Sequence, residues 1–192
     1  FADPQSGHFT ADLPGGVIYD FLPHMVYLAQ MFAGKMINVE KAWLPLRRTS
    51  GLACEEFRAT LYCETATATL SFSADVQPNQ FLVRLYGSRA SAELDLLEPY
   101  CVVRMLRTGS VPLAIFRNEL GIAKAHLNSA FAGIWSRLAD GPGPYEGMWE
   151  LIRLCYDALR RGEAAPLKPA DLAETYFAIE RLIEGAPQRN NQ

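Results

Sequence analysis

The chain has 192 residues, of which 49% are hydrophobic and 20% charged, and its formal net charge is −3 at pH 7. A chain of this length and composition can bury a substantial core, which excludes a disordered or fibrous protein. The slightly acidic charge balance provides no basic surface for a polyanion, so we expect no nucleic-acid partner.

The first strongly apolar stretch of the chain, residues 17–33, is not a membrane span. Asp20, Pro23 and His24 interrupt it, and it is shorter than the roughly 20 clean apolar residues that a span requires. No basic segment precedes it, so a signal peptide is not indicated either. We therefore expect no membrane partner.

The same stretch has apolar residues at helical spacing and predicts a helix over residues 17–34 that is buried on most sides. Gly34 suits the C-terminal cap. Pro23 is compatible with a helix that begins just before it, because proline is tolerated in the first turn. Gly15 and Gly16 form the loop that leads into this helix.

After Gly34 the apolar period changes from 3.6 to 2, which predicts strands over most of residues 36–117. The alternating segments are 57–64, 67–74, 81–86, 92–97 and 101–106. Because these strands follow one another without intervening helices, the sequence predicts a largely antiparallel sheet.

Helical periodicity returns near the C-terminus and completes the predicted fold. The three predicted helices cover 118–139, 145–161 and 169–184. We expect an α+β fold, an open antiparallel sheet with helices on one face, in a single domain over residues 1–187. Its parts are a leader at 1–16, the helix at 17–34, the sheet at 36–117, helices at 118–185 and a polar tail at 188–192.

The outer face of the predicted sheet mixes polar side chains with large apolar ones. The apolar members are Tyr62, Leu82, Tyr86, Leu97, Val102 and Leu106. Plain solvation of this face is one interpretation, and a subunit or domain interface is the other. We favour the interface, and with it a homo-oligomer.

The four cysteines lie far apart, at Cys54, Cys63, Cys101 and Cys155. They form neither a C-x-x-C pair nor a cluster with histidines, so the pattern indicates reduced thiols rather than a zinc site or a disulfide framework. Reduced thiols favour a cytoplasmic protein.

Asp20 and His24 are the residues best suited to chemistry. Four residues apart on a helix, they share a face and can hydrogen-bond, so the carboxylate could orient the imidazole while the imidazole moves a proton on a substrate hydroxyl or carbonyl. Because most of their neighbours are apolar, we expect burial to require such a partner.

Two other interpretations of this pair stay open. In the first, Asp20 caps the helix by accepting amide hydrogen bonds and His24 is a satisfied, partly buried core residue. In the second, Asp20 and His24 bind a metal ion together with His8, although the spacing lacks the second histidine of the H-E-x-x-H pattern.

The order of motifs resembles the C-terminal domain of the Gfo/Idh/MocA oxidoreductases, whose fold is dihydrodipicolinate-reductase-like. That family typically has a glycine triplet, a short apolar spacer and D-x-x-x-H, which correspond here to Gly15, Gly16, Asp20 and His24. The strands EFRATLYCETATATLSFS and NQFLVRLYGSRASAELDL and the final helices extend the resemblance over most of the chain. Two departures are Pro14, at the first triplet position, and Tyr27, where an acid often follows the histidine.

The resemblance implies an NAD(P)-dependent oxidoreductase that acts on a sugar or polyol. His24 would be the catalytic acid/base and Asp20 would position it or contact the substrate. Tyr27, Tyr19 and His8 are the candidate substrate-binding residues. The nicotinamide cofactor, NAD or NADP, would be held by an N-terminal Rossmann domain.

The sequence contains no G-x-G-x-x-G after a strand and no Glu-Lys-Pro tripeptide, and it begins with Phe1, which looks like a cut edge. Without a nucleotide-binding domain as partner, we expect this chain to be inactive, because the cofactor supplies the redox chemistry. The alternative is a non-catalytic binding or dimerisation module that retains the fold.

Overall fold

The computed structural model describes residues 13–44, 54, 56–74, 76–97, 100–106, 111–138 and 146–187. In this part of the chain the elements are α1 (Val17–Ala33), β1 (Met36–Leu44), β2 (Glu56–Cys63), β3 (Thr67–Ser73), β4 (Leu82–Tyr86), β5 (Ala90–Asp95), β6 (Tyr100–Met105), α2 (Val111–Leu138), α3 (Glu146–Arg161) and α4 (Pro169–Ile183). The α+β class and the antiparallel pairing of the strands are confirmed.

The chain divides into two compact units, which we call the terminal unit (residues 1–76 and 155–192) and the central unit (residues 77–154). Strands β1–β3 form the first sheet and β4–β6 form the second, so the expected single sheet is wrong. The segment 76–81 separates them, and Pro78 within it has no amide with which to continue a ladder. A single domain over residues 1–187 stays a prediction.

In the terminal unit, α1 and α4 pack against each other and against one face of the first sheet, as expected. The buried core side chains are Ile18, Leu22 and Val26 of α1, Phe57, Ala59 and Leu61 of β2, and Ala178, Ile179 and Leu182 of α4. Burial of each of the larger ones contributes roughly 1.5–3 kcal/mol. Polar side chains of β3 at alternate positions, such as Thr67 and Thr69, face outward.

Helix α1 is held at its C-terminal end by Gly34, whose φ of 81° suits glycine and whose amide donates to the carbonyl of Gln30 at 2.9 Å. Thr65, in the β2–β3 turn, donates both its amide and its hydroxyl to the carbonyl of Ala33. The hydroxyl of Thr175 on α4 donates to Oε1 of Gln30 at 2.9 Å. The helix is therefore fixed to both the sheet and α4.

In the central unit, α2 packs on β6 of the second sheet. This helix begins at Val111, earlier than the predicted residue 118, so the sheet does not extend to residue 117. The reason is Pro112, which suits a first helical turn and cannot donate to a strand ladder. The predicted bounds of α3 and α4 agree with the structure to within a residue.

Val102 was predicted on the outer face of the sheet but is 3% exposed. It shares a face with Tyr100, whose ring lies 4.8 Å from that of His126 on α2, so α2 covers this face. Alternation alone could not identify which face of the second sheet the helix would cover. The opposite face carries Val103 and Met105, which stay 55% and 49% exposed.

The other apolar residues predicted on the outer face are half-buried or exposed: Leu82 is half-buried, and Tyr62, Tyr86, Leu97 and Leu106 are exposed. Cys63, Cys101 and Cys155 are free thiols, and Cys54 donates to the carbonyl of Glu56 at 3.0 Å. Within the described ranges, no helix is long and apolar enough to cross a membrane. A cytoplasmic location stays a prediction.

Candidate functional site

The diglycine loop before α1 is enclosed by the fold. Gly15 and Gly16 are buried and have φ values of 75° and 64°, which favour glycine. The amide of Gly15 donates to the carbonyl of Pro187 at 2.9 Å, and the amide of Gly16 donates to the carbonyl of Leu13 at 2.8 Å. Because both amides already donate to carbonyls of the protein, neither is free to bind a phosphate. This loop therefore does not fit the phosphate groups of a nicotinamide cofactor.

Helix α1 has one buried face and one exposed face. Ile18, Leu22 and Val26, spaced four residues apart, are fully buried against the first sheet and α4. Four of the exposed side chains follow a helical stripe at positions i, i+4, i+7 and i+11, namely Asp20, His24, Tyr27 and Met31, and Phe32 beside them is exposed as well. We call these four residues the α1 stripe.

The structure places Asp20 and His24 on the same face, one turn apart, as expected, but it exposes both of them. The prediction that burial requires a partner for this pair is wrong, whereas most of the other side chains of α1 are buried or half-buried, as expected. The apolar neighbours in sequence point to the opposite side of the helix. No hydrogen bond joins the two side chains in the described part of the chain, so both can reach a ligand in solvent.

The structure also excludes the alternative in which Asp20 caps the helix and His24 is a core residue. The N-cap of α1 is Gly16 and no side chain caps this helix end, so Asp20 is not a capping residue. His24 is exposed and is not a core histidine. His8, the third residue of the metal hypothesis, lies outside the described residues. Among the residues that are described, no group of three or more potential ligands could hold a metal ion.

Tyr27 lies beside His24, with the ring centroids 6.4 Å apart and the planes at 73°. This edge-on contact restricts the imidazole on one side and leaves the rest of its perimeter open. Tyr19 differs, because it is half-buried and packs against the core. Of the three predicted substrate-binding residues, the structure therefore places Tyr27 beside His24 and Tyr19 against the core, whereas His8 lies outside the described residues.

Two residues near the site were missed from the sequence. Met31 is 65% exposed at the end of the α1 stripe, and its helical spacing from His24 could have identified it. Trp43 of β1 contacts Gly15, as the position of its indole against that glycine indicates. No local signal in the sequence reveals that contact, because it joins elements that are distant in the chain.

A second polar cluster lies in the central unit. Nε of Arg84 donates to Glu93 at 2.8 Å and the hydroxyl of Tyr100 donates to the other carboxylate oxygen at 3.1 Å. The Arg84 hydrogen bond, followed by that of Tyr100, lowers the pKa of Glu93. Burial is the main cause that raises the pKa of Tyr100, and its bond to Glu93 adds to the effect. This cluster ties the three strands of the second sheet together.

The family model of the GFO/IDH/MocA C-terminal domain matches residues 1–93 of the chain. The matched segment includes the diglycine loop, the α1 stripe and the strands of the first sheet. It therefore confirms the resemblance over residues 1–93, and the part of the resemblance drawn from the final helices stays a prediction. No curated protein matches the chain.

Proposed function

We propose that the chain, whose residues 1–93 match the family model of the GFO/IDH/MocA C-terminal domain, is the substrate-binding part of an NAD(P)-dependent oxidoreductase that acts on a sugar or polyol. In this proposal His24 is the catalytic acid/base and Asp20 assists it. The observation that carries the proposal is the exposure of both side chains, one turn apart, on the outer face of α1.

An imidazole suits this role because it can accept and donate a proton near neutral pH. Oxidation of an alcohol requires removal of the hydroxyl proton, and reduction of the carbonyl requires its return. The exposed ring of His24 can approach a substrate oxygen, while the edge contact with Tyr27 limits its rotation. The core behind α1 holds the backbone of His24 in place, so proton transfer needs only a local movement of the side chain.

Asp20 precedes His24 by one turn on the same face. Its carboxylate can support the imidazolium that forms when His24 takes a proton, or accept a hydrogen bond from a second substrate hydroxyl. Neighbouring hydroxyls are the feature that sugars and polyols share, so a carboxylate and an imidazole one turn apart suit this substrate class. Tyr27 adds an aromatic surface against which an aliphatic ring of the substrate can pack.

A nicotinamide, held by a separate nucleotide-binding domain, would supply the hydride chemistry. The diglycine loop does not hold it, since its amides donate to Leu13 and Pro187. We therefore propose that this chain contributes substrate contacts and proton transfer, and that it does not turn over substrate without that domain. Whether NAD or NADP is used depends on the ribose site of the other domain.

The proposal is tested by following nicotinamide absorbance with a panel of sugars and polyols, using the chain joined to its nucleotide-binding domain. We expect His24→Gln to lower kcat/KM at least about a hundredfold, a typical contribution of general acid/base catalysis. His126→Gln, which removes an exposed histidine of the central unit, is the matched control and should leave turnover unchanged. Normal turnover of the His24 variant would refute the assignment.

A second role, assembly into a homo-oligomer, is favoured by the uncovered face of the second sheet. This face is uncharged at every position of its three strands and consists of Val83, Leu85, Ala90, Ala92, Leu94, Cys101, Val103 and Met105. We call it the apolar sheet face. A second copy of the chain is the proposed occupant, because two uncharged sheet faces can stack without burying an unpaired charge.

A further inference from the structure

We propose that Trp43 is a positioning residue for the α1 stripe, a role that rests on the proposed function of Asp20 and His24. Trp43 lies on β1 and acts through the diglycine loop at the start of α1. Its indole fills the space beside Gly15 and fixes the loop from which the first turn of α1 begins. Three sets of contacts lead to this inference.

The first is the fit between Trp43 and Gly15. A Cβ built on Gly15 would lie 2.4 Å from Cζ3 and 2.6 Å from Cη2 of the indole, closer than real Cβ contacts come. Both atoms belong to the rigid ring and cannot move independently. The loop can therefore approach β1 this closely only because position 15 has no side chain, and its φ of 75° is also one that favours glycine.

The second set fixes the indole itself. Its Nε1 donates to the carbonyl of Leu182, near the C-terminal end of α4, at 3.3 Å. Its ring lies 4.5 Å from that of Phe57, which is fully buried. The neighbouring residue on the same face of β1, Lys41, donates to the carbonyl of Arg181. Trp43 is thus held by the core on one side and by the end of α4 on the other.

The third set connects the loop to α1. The amide of Gly15 donates to the carbonyl of Pro187, and the carbonyl of Gly16 accepts from the amide of Tyr19 at 3.1 Å. No side chain caps this end of α1, so the position of the loop determines where the helix starts. Asp20 lies in the first turn and His24 one turn later. A loop released from Trp43 would loosen this turn without any direct contact between the indole and the site.

The inference is tested by amide hydrogen exchange on the full chain with Trp43→Leu, and with Leu70→Ala as the control that removes a buried side chain from β3. We expect Trp43→Leu to raise exchange over residues 19–24 about tenfold more than over β2 and β3. The control should raise exchange in these regions to similar extents. Equal acceleration throughout the Trp43 variant would overturn the inference.

A double-mutant cycle tests the contact itself. Gly15→Ala should lower the folding equilibrium constant about tenfold more in the natural chain than in the Trp43→Leu background, because loss of the indole relieves the clash. Equal effects would contradict the inference. Where Gly15→Ala alone does not fold, recovery of folding in the double variant supports it and failure to recover contradicts it.

The imidazole NMR signals of His24 provide a readout that general destabilisation does not change. They should shift in Trp43→Leu and stay in place in Leu70→Ala, and identical signals in both variants would contradict positioning through the loop. The hydrogen-exchange and NMR results for Trp43→Leu can be distinguished from the turnover result for His24→Gln. Normal turnover of His24→Gln would refute the proposed function and leave the exchange result standing, whereas uniform exchange would remove Trp43 from the site and leave His24 in it.

Discussion

The terminal and central units differ in how much apolar surface each buries. Among the described residues, nearly all buried hydrophobic side chains belong to the terminal unit, where α1 and α4 cover the first sheet. In the central unit, Val102 is the buried hydrophobic residue and Asp95 the buried polar one. The terminal unit encloses a core between its helices and its sheet, whereas the central unit buries little apolar surface. Large apolar side chains are exposed in both units, for example Leu159 in the terminal unit and Trp135 in the central one.

This difference separates two kinds of exposed residue. The α1 stripe is exposed above a complete core, so the helix is rigid and its outward side chains are free for chemistry. The central unit exposes residues such as Phe116, Phe131 and Trp135 of α2, as well as the apolar sheet face. Large exposed apolar patches are typical of surfaces that meet another protein surface. We therefore propose catalysis for the terminal unit and assembly for the central unit.

Removal of one leucine side chain from each unit should have very different effects on stability. Leu61→Ala empties a fully buried position of β2 and should lower the free energy of unfolding by about 3 kcal/mol. Leu106→Ala removes a side chain that is 75% exposed and should change it by less than about 0.5 kcal/mol. Urea denaturation measures both, and equal losses would contradict the assignment of a complete core to one unit alone.

The assembly role is tested by placing charge on the apolar sheet face. The double substitution of Val103 and Met105 by Glu should weaken self-association about tenfold or more in sedimentation equilibrium, because two stacked faces would bury like charges. Glutamates in place of Thr67 and Thr69, on the outer face of the first sheet, are the matched control and should have little effect. A monomeric natural chain, or equal weakening by both variants, would contradict the assembly role.

A smaller effect is expected from the Glu93 cluster at low pH. The pKa of Glu93 in the folded protein lies below its usual value of 4.5. The ionised carboxylate therefore stabilises the folded state fully above pH 4.5, and this stabilisation is lost as the pH falls through the folded-state pKa. Because solvent screens the ion pair between Glu93 and Arg84, its contribution to stability is small. Glu93→Gln should therefore reduce the acid-dependent loss of stability in the central unit.

Glu119→Gln, an exposed substitution on α2 of the same unit, is the control for that measurement. Chemical denaturation between pH 3 and pH 7, the range around this transition, should show a flatter acid limb for the Glu93 variant and an unchanged limb for the control. Matching curves for the two variants would contradict a stabilising role for Glu93.

Local patterns in the sequence predicted much of the fold. Periodicity located α1, and it located most strands of both sheets, because burial on one side imposes alternation on a strand and a stripe on a helix. It could not show that Val102 rather than Val103 faces α2, since each phase of β6 contains a valine and the phase that faces α2 also carries Arg104. The same limit applies to the break between the two sheets, which depends on pairing rather than on composition.

For the site, spacing predicted that Asp20 and His24 share a face, because helix geometry determines it. Whether that face is buried depends on where α4 and the first sheet lie, and apolar neighbours in sequence were a misleading guide. The role of Trp43 was beyond prediction for the same reason, as β1 and the diglycine loop meet only in the folded chain.

The central claim, that the α1 stripe is the substrate-facing surface, is tested most directly by NMR titration of the full chain with a panel of sugars and polyols. The imidazole signals of His24 and the ring signals of Tyr27 should shift together, with Asp20→Asn weakening the response. The signals of His126 and Tyr100, in the central unit, should stay in place. Shifts confined to His126 and Tyr100, or the absence of any response at His24 across the panel, would contradict the account.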